Sequence, residues 1–575
     1  MEITNTSTQN YLLICEIGPI YDFVRHSRKT VDFWGASFLF SYFMSEVARD
    51  IKNNGGNIFL PYLDNNPMYL RSGTITCGSV PDQIYATFTD SHKSTIENGL
   101  KTIIENVIKT IASNVESMAG QKGKLVGAFE HGEVKDFFNF FYIIHEIKDI
   151  QLTFEEFVEA ERKIRMRYTV RPFNQITGNN SIAKWHKCSL CGDRKRIYSI
   201  PVDKDAGLYN EEHICRVCLL KRFLPEAVKS IFSGFNVEIK EPHYKSTSDI
   251  ALSPIKECMN TADNEIKMTY KALIKACEQA SEEKDSEGRF FYDPILKQKF
   301  SEKFSEWKKK IGEKYPEETK LKWLDRPFYS IVYMDGDNMG DILKANCDKF
   351  PGYIKDVSKI ISDFSNVVDN IVSNNHGQLI FAGGEDINFV IHPEYLLECI
   401  EELNNLYNCY FAKNELTKSM AEKFTLSAGV IVCYHKHPLS QAILSANKML
   451  TKAKEYKGKN ATAISLIKGH TEVFNFAFPN KLIGDLRELK KCLLTSAISR
   501  TTPYRIRESE DILKSITDNT YKENYLYTIL AGTRRARKTD DEIAKMVELL
   551  MKFGEVDIDT MINALLFARF LIGDK

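Results

Sequence analysis

The sequence has no charge excess of either sign: Lys+Arg and Asp+Glu each number 77 in a chain of 575 residues. A protein that coats nucleic acid or a membrane surface by bulk attraction carries a strong field of one sign. That role is excluded, and any nucleic-acid contact has to come from local patches or from partner subunits. No apolar run approaches eighteen residues, and the first ten, MEITNTSTQN, are polar and hold no signal-peptide core. A cytoplasmic location is expected. Cysteine is present, at 13 residues, but four of them fall in two CxxC pairs, which points to metal rather than to a secreted disulfide framework. The length calls for several cores, roughly three to five domains.

Taken in order, residues 11–18 read as a buried strand closed by Gly18-Pro19, and an aromatic-rich helix spans 33–51. Strands are expected at 58–63 and 83–88 and a long helix at 96–118, so strand and helix alternate, with a helical extension beyond. CSLCGDRKR and ICRVCLLKRF place Cys188, Cys191, Cys215 and Cys218 as two knuckles of an all-thiolate zinc site. With all four positions filled by thiolates, that zinc is structural. Residues 222–325 read as a polar helical insertion. The strand PFYSIVYM then runs into Asp335-Gly336-Asp337, an amphipathic helix follows at 352–374, and QLIFAGGEDINFV reads as a hairpin with Gly383-Gly384-Glu385-Asp386 at its tip. After it come helix 395–411, strand 425–433, helix 439–456 and strand 461–467. Setting aside the helix after the hairpin as extra, this is a ferredoxin-like order, and the first segment resembles it closely enough for an internal duplication. The last hundred residues read as helices at 511–516, 525–531, 542–553 and 560–572. Between two of them lie Arg534, Arg535, Arg537 and Lys538, a solvated helix end or a contact to an RNA or subunit backbone.

On such a sheet the first strand ends at Asp335 beside the strands that carry Glu385 and Asp386, with Asp337 close by. Carboxylates gathered this way repel one another unless divalent cations sit between them, and an all-oxygen donor set favours Mg2+ or Mn2+. Lys452, Lys454, Lys457 and Lys459 surround Gly458, and the helix that carries the first two packs on the same sheet, within reach of phosphates.

DGDNMG, FAGGEDINFV, TLSAGVIVCYHKHPL and ANKMLTKAKEYKGKNA together resemble the palm domain shared by diguanylate (GGDEF) cyclases and the large subunit of type III CRISPR effector complexes. IGPIYDFVRHSRKTVDFWGASFLFSYF resembles the opening of the first, non-catalytic palm of that subunit in its type III-B form. The resemblance implies an α+β multidomain chain with two ferredoxin-like palms. Its expected parts are a first palm with helical extension (1–160), a zinc-knuckle region (161–230), a helical domain (231–325), a catalytic palm (326–475) and a C-terminal helical bundle (476–575). It implies Asp335, Glu385 and Asp386 as catalytic acids, with Asp337 among the Mg2+ or Mn2+ ligands. Gly336, Gly383, Gly384, Lys452, Lys454 and Lys457 become candidate nucleotide contacts. ATP would be the substrate and cyclic oligoadenylate the product. Conjugation of ATP to S-adenosylmethionine is the alternative product, and a catalytically silent scaffold the alternative role. The implied partners are the other type III-B subunits, CRISPR RNA and target RNA. Glu16-Ile17-Gly18 stands where the first palm would carry DGD, and no acidic hairpin is expected there. The sequence contains no His-Asp dipeptide, so the nuclease domain of many relatives is expected to be missing.

Overall fold

The computed structural model describes residues 9–122, 124–125, 134–148, 151–169, 187–201, 211–240, 244–281, 286–315, 319–495, 501–532 and 540–573. The basic run at 534–538 lies outside them. Strand β1 (Asn10–Gly18) forms because its apolar run is buried on both faces. Leu13, Cys15 and Ile17 enter the main core, while Leu12 and Ile14 pack into a second cluster with Phe157 and Ile164. It pairs antiparallel with β3 (Gln83–Thr89) and β4 (Asn139–Ile147), and β2 (Asn57–Leu60) closes one edge, giving the order β2-β3-β1-β4. The expected strand at 58–63 stops at Leu60 because proline follows and cannot donate to a ladder. Helix α1 (Thr30–Asn53) and helix α2 (Asp90–Lys122) cover the main-core face. The expected purely helical extension is corrected here: β4 completes the sheet, and α3 (Phe154–Thr169) covers its other face as one helix across position 160.

Helix α4 (Arg216–Ile231) begins at the second cysteine knuckle and packs on α1 and α2. The approach is close. A Cβ on Gly35 would lie 2.2 Å from the Lys221 carbonyl oxygen. The helical insertion that follows has its own core around Trp307, Phe291 and Tyr270, and a strand, Asn236–Ile239, pairs in parallel with Ser72–Ile75 of the first domain.

The second sheet is built from β5 (Phe328–Gly336), α5 (Gly352–Asn374), β6 (Gln378–Gly383), β7 (Asp386–Ile391), α6 (Leu396–Lys413), β8 (Leu426–Tyr434), α7 (Leu439–Glu455), β9 (Ala461–Lys468) and β10 (Thr471–Pro479). Its strand order is β6-β7-β5-β8-β9-β10. The first four strands repeat the order of the first sheet, the second-third-first-fourth arrangement of a ferredoxin-like unit. One expectation is corrected. The helix after the hairpin, α6, is the regular second helix of that unit, and the additions are α7 with β9, joined in parallel to β8, and the edge strand β10. β10 also crosses position 475, so the palm runs four residues further than expected.

Helix α7 lies directly on β8. A Cβ on Gly429 would come within 2.0 Å of the Leu450 backbone nitrogen and 2.6 Å of the Ala446 carbonyl oxygen. Neither is a side chain that can swing away, so Gly429→Ala is expected to destabilise the second domain by about 3 kcal/mol through forced separation of helix and strand. A lowered unfolding midpoint in urea would record this; an unchanged midpoint would mean that α7 can lift without cost.

Beyond β10 the chain is helical, as expected, and two further helices, Ile483–Thr495 and Thr502–Glu508, join those anticipated from periodicity. Among the described residues no helix is long and apolar enough to cross a membrane.

Candidate active site

The hairpin tip is set by pairing. Gly383 faces Asp386 across the ladder, leaving a two-residue turn of Gly384 and Glu385. Gly384 has φ +64°, the sign such a turn requires at its first position and one that a side chain would oppose. The Ser365 hydroxyl of α5 donates to the Gly384 carbonyl at 3.0 Å and fixes the tip against the helix. β5 runs antiparallel to β7, so the end of β5 brings Asp335 level with the start of β7 at Asp386.

Glu385 folds back over β5. An added Cβ on Gly336 would meet its Oε2 at 2.2 Å, so glycine there leaves room for the carboxylate. That Oε2 atom is buried and has no hydrogen-bond partner. Burial, then the charge of Asp335, pushes Glu385 up to about 7. Asp386 is exposed at the start of β7, with protein packed against one side of its carboxylate. That packing, then the charges of Asp335 and Glu385, raises it above the usual carboxylate range. Asp335 is raised as well, mainly by burial, with Lys454 pulling the other way. Asp335, Glu385 and Asp386 are near enough to raise one another, one with an orphaned buried oxygen, and their all-oxygen chemistry suits a divalent cation. Among the described residues only the cysteines bring three ligand atoms within 4.8 Å of one another, so the acids would close in around an ion.

Asp337 is built differently. It is 1% exposed, and its oxygens accept from the Thr425 hydroxyl at 2.8 Å, the Ser427 hydroxyl at 2.9 and 3.0 Å and the Asn460 N–H at 2.9 Å. Its own N–H donates to the Thr425 carbonyl. This carboxylate is committed to holding β5, β8 and the 456–460 loop together. The ammonium of Lys454 lies between Asp335 at 3.0 Å and Asp337 at 3.3 Å and also donates to the Gly336 carbonyl.

Of the other lysines, Lys459 acts electrostatically on Asp335 and Glu385. Lys452 points away, bonded to Asn475 in a separate cleft against the C-terminal helices, and Lys457 is exposed. Positions 452 and 454 are some 200° apart around a helix, so they could not both face the sheet.

Glu385 and Asp386 open onto a cavity of about 280 Å3 between the two domains. Leu343, Ile354, Val357 and Ile361 give it an apolar wall, and Gly383, Gly384, Asn66 and Ser358 add polar groups. The domains are fastened around it. Ala382 donates to the Gly78 carbonyl at 3.1 Å, the Tyr62 N–H to the Ser358 hydroxyl at 2.8 Å, and the Ser362 hydroxyl to Asn65 at 2.6 Å. The first sheet adds an acid that its sequence did not disclose: Asp82 lines the same cavity, at the foot of β3.

Cation binding to this set has to displace protons, which fixes a pH dependence. Between its ordinary value near 4.5 and about 7, folded Glu385 holds a proton that the unfolded chain has released. This acid therefore withdraws stability as pH rises through that window and contributes no further change above it. Mn2+ affinity is expected to rise at least about tenfold per pH unit up to neutrality and then flatten. Calorimetric titration from pH 5.5 to 8 checks this, and a flat profile in the wild type would contradict it.

The four cysteines form a second centre. All are buried, and their sulfur atoms lie within 4.8 Å of one another, with Cys191 and Cys215 at 3.9 Å. Zn–S bonds of about 2.3 Å in a tetrahedron put sulfurs about 3.8 Å apart, so the quartet fits Zn2+ without rearrangement. Hydrogen bonds from Cys188, Cys215 and Cys218 hold the Cys191 thiol below its ordinary range.

Residues 328–463 match the second palm domain of Cas10/Cmr2, and residues 12–118 match the N-terminal region of the CRISPR-associated protein Cmr2. The CRISPR system Cmr subunit Cmr2 of Pyrococcus furiosus is 23% identical over 551 residues, an alignment that takes in 80% of this chain and 61% of that protein. The chain therefore spans less than two thirds of that relative's length. Among solved structures, a chain of the type III-B Cmr-beta assembly in its apo state superposes with a TM-score of 0.60 at 13% identity, over 94% of this chain and 79% of that one. A chain of the same assembly bound to cognate target RNA gives 0.61 at 13% identity, over 94% and 80%. At that identity the structural likeness is one of fold, and it agrees with the two sequence matches. Residues 12–118 and 328–463 are thus those of Cas10/Cmr2 proteins, and with the relative and the shared fold they support a type III-B Cmr2/Cas10 subunit.

Proposed function

We propose that this protein is a metal-dependent nucleotidyltransferase that converts ATP into a signalling nucleotide, working as a subunit of an RNA-guided type III-B effector complex and switched on by target RNA. The observation that carries the reading is the gathering of Asp335, Glu385 and Asp386 at one end of the second sheet, the last two lining the cavity, with the Glu385 Oε2 atom buried and unpartnered. These three carboxylates would hold Mg2+ or Mn2+. Bound there, such ions would supply the positive charge that activates an attacking hydroxyl and offsets the charge of the triphosphate and the leaving pyrophosphate. The apolar wall of Leu343, Ile354, Val357 and Ile361 suits a purine ring and keeps water from the reacting groups. Lys454 and Lys459 supply positive charge beside the acids for the triphosphate. Asp337 keeps β5 and the lysine loop in register. The cysteine quartet would take a structural Zn2+. The partners follow from the family: other type III-B subunits, CRISPR RNA and, as for the Cmr-beta assembly seen with it, target RNA.

A second reading, a catalytically silent scaffold, draws on the Lys454 ammonium, which already neutralises Asp335. The two are separated by incubating the assembled complex with ATP, Mg2+ or Mn2+ and target RNA, with and without S-adenosylmethionine, and identifying products by mass spectrometry. Cyclic oligoadenylate or an ATP–S-adenosylmethionine conjugate is expected. No nucleotide product under any of these conditions leaves the scaffold.

A further inference from the structure

A second cleft lies at the end of the second sheet remote from the three acids. β8 pairs with β5 along its length, from Leu426 opposite Gly336 at the acidic end to Tyr434 opposite Phe328 at the other. At about 3.3 Å per residue, the nine residues of β8 set its two ends about 26 Å apart. Past Tyr434 the chain passes through His435 and Lys436 into α7. There it meets the loop before α1 and the helical insertion around a cavity of about 720 Å3. Each of these three segments brings a cation: Arg28 before α1, Arg289 from the insertion, and Lys436. All three side chains are exposed, and among the described residues Arg28 and Lys436 form no ion pair. The one acid among the described residues lining the cavity is Asp293. Its carboxylate accepts from the Ile295 N–H at 2.8 Å and the Leu296 N–H at 2.9 Å of the helix it begins.

His435 lines this cavity and is 4% exposed. Its N–H donates to the Pro327 carbonyl at 2.8 Å, and its own carbonyl accepts from the Thr247 hydroxyl at 2.8 Å. Its Nδ1 lies 2.8 Å from the Ser248 hydroxyl, while Nε2 is buried and has no partner among the described residues. Burial, then the charges of Lys436, Lys297 and Arg289, lowers His435 to about 4, so the ring is neutral near pH 7 and holds a single N–H. With the Ser248 hydroxyl donating to Nδ1, that N–H sits on Nε2 and lacks an acceptor. Further donors lie beside it. Pro438 gives α7 no side-chain cap, so Leu439 and Ser440 begin a 17-residue helix, at the cavity wall, with N–H groups that have no intrahelical acceptor. Cations, an uncapped helix N-terminus and an unpaired imidazole donor are complementary to an anion with several acceptor oxygens. A carboxylate offers two oxygens and one charge; a terminal phosphate offers three and about two. The cavity also has room for a group that carries the phosphate. We propose that this cleft binds a phosphate group, borne by a free nucleotide or by the backbone of single-stranded RNA, through Arg28, Arg289, Lys436, His435 and the head of α7. The site is separate from the three acids, and the inference does not rest on the nucleotidyl transfer proposed above.

The test is titration calorimetry on the full-length protein with no divalent cation added, so that nucleotide binding at the acids is not promoted by metal. Three probes are compared: uridine 5′-monophosphate, uridine, and hexauridylate with a 5′-hydroxyl end. The wild type is expected to bind at least one of the two phosphate-bearing probes and not uridine. Arg28→Ala and Lys436→Ala should each weaken that binding about tenfold, as loss of a hydrogen bond to a charged group predicts. Both side chains are exposed, so the fold should tolerate their removal. Lys448→Ala removes an exposed lysine of α7 outside the cleft and should leave the affinity unchanged. Binding of the monophosphate alone identifies a free nucleotide as the source, and binding of the hexamer alone identifies the RNA backbone. Binding of both shows that the phosphate is recognised whatever carries it, and each of the three supports the site. No binding of either probe by the wild type up to about 1 mM, or equal binding of uridine, overturns the proposal. So does an affinity that survives Arg28→Ala and Lys436→Ala or falls as far with Lys448→Ala.

Discussion

Asp386→Asn in the assembled complex is expected to lower nucleotide product formation by about a thousandfold or more while leaving the chain folded. The size follows from losing one anionic ligand of a divalent cation, worth about 4 kcal/mol of transition-state stabilisation. The sign of the stability change separates this from a folding defect. Asp386 is solvent-exposed on one side, but the groups packed around it and the charges of Asp335 and Glu385 raise it above its ordinary range, so its ionisation does not stabilise the metal-free fold. A neutral amide removes that charge, and the melting temperature without metal should stay level or rise. Mn2+ should then raise the melting temperature of the wild type and leave the variant unmoved. A variant that melts early would mean that the carboxylate supports structure, as the fully bonded Asp337 does.

The second large effect concerns the cysteine quartet. Cys218→Ser is expected to abolish stoichiometric zinc and to lower the melting temperature by well over 10 °C, because structural zinc supplies on the order of 10 kcal/mol to the fold that holds it. The damage should not stay local. Cys215 caps helix α4 by accepting the Cys218 N–H, and that helix is fastened to the first domain. The Lys221 ammonium donates to the carbonyls of Phe23 at 2.9 Å and His26 at 2.7 Å, and Arg222 joins Asp32 and Glu212 in a buried charge network. Losing the knuckle releases these groups unpaired into the core beneath the first sheet, a costly outcome for buried charges. Elemental analysis and calorimetry of wild type and variant check both parts. A zinc-free wild type of normal stability would contradict the account.

What the sequence disclosed was the chemistry that is local. Gly383-Gly384-Glu385-Asp386 could be read as an acidic hairpin tip because turn geometry depends on a few adjacent residues, and two CxxC pairs declare a thiolate site by spacing alone. The duplicated strand order was partly legible from alternating apolar runs. Residues 139–147 and 471–479 were missed because edge strands are only half buried, which dilutes the apolar pattern. Asp337 read as one more ligand because its neighbours Thr425, Ser427 and Asn460 lie about a hundred residues away and meet it only in the folded sheet. The separation of Lys454 from Lys452 depended on helix phase against a particular strand. Asp82 carried no local signal, since a single aspartate after a proline looks like any surface turn. Its place in the cavity comes from the docking of the two domains, α1 on β6 and α5 on β2.

The central claim is that Asp335, Glu385 and Asp386 hold divalent cations at the edge of a nucleotide pocket shared by both sheets. Anomalous diffraction from crystals of the complex grown with Mn2+ and a non-hydrolysable ATP analogue tests it most directly. The account predicts manganese peaks within about 2.2 Å of these carboxylate oxygens, with the analogue's phosphates beside them and its base against Ile354 and Val357. Ordered analogue elsewhere, with no manganese at the three acids, would contradict it.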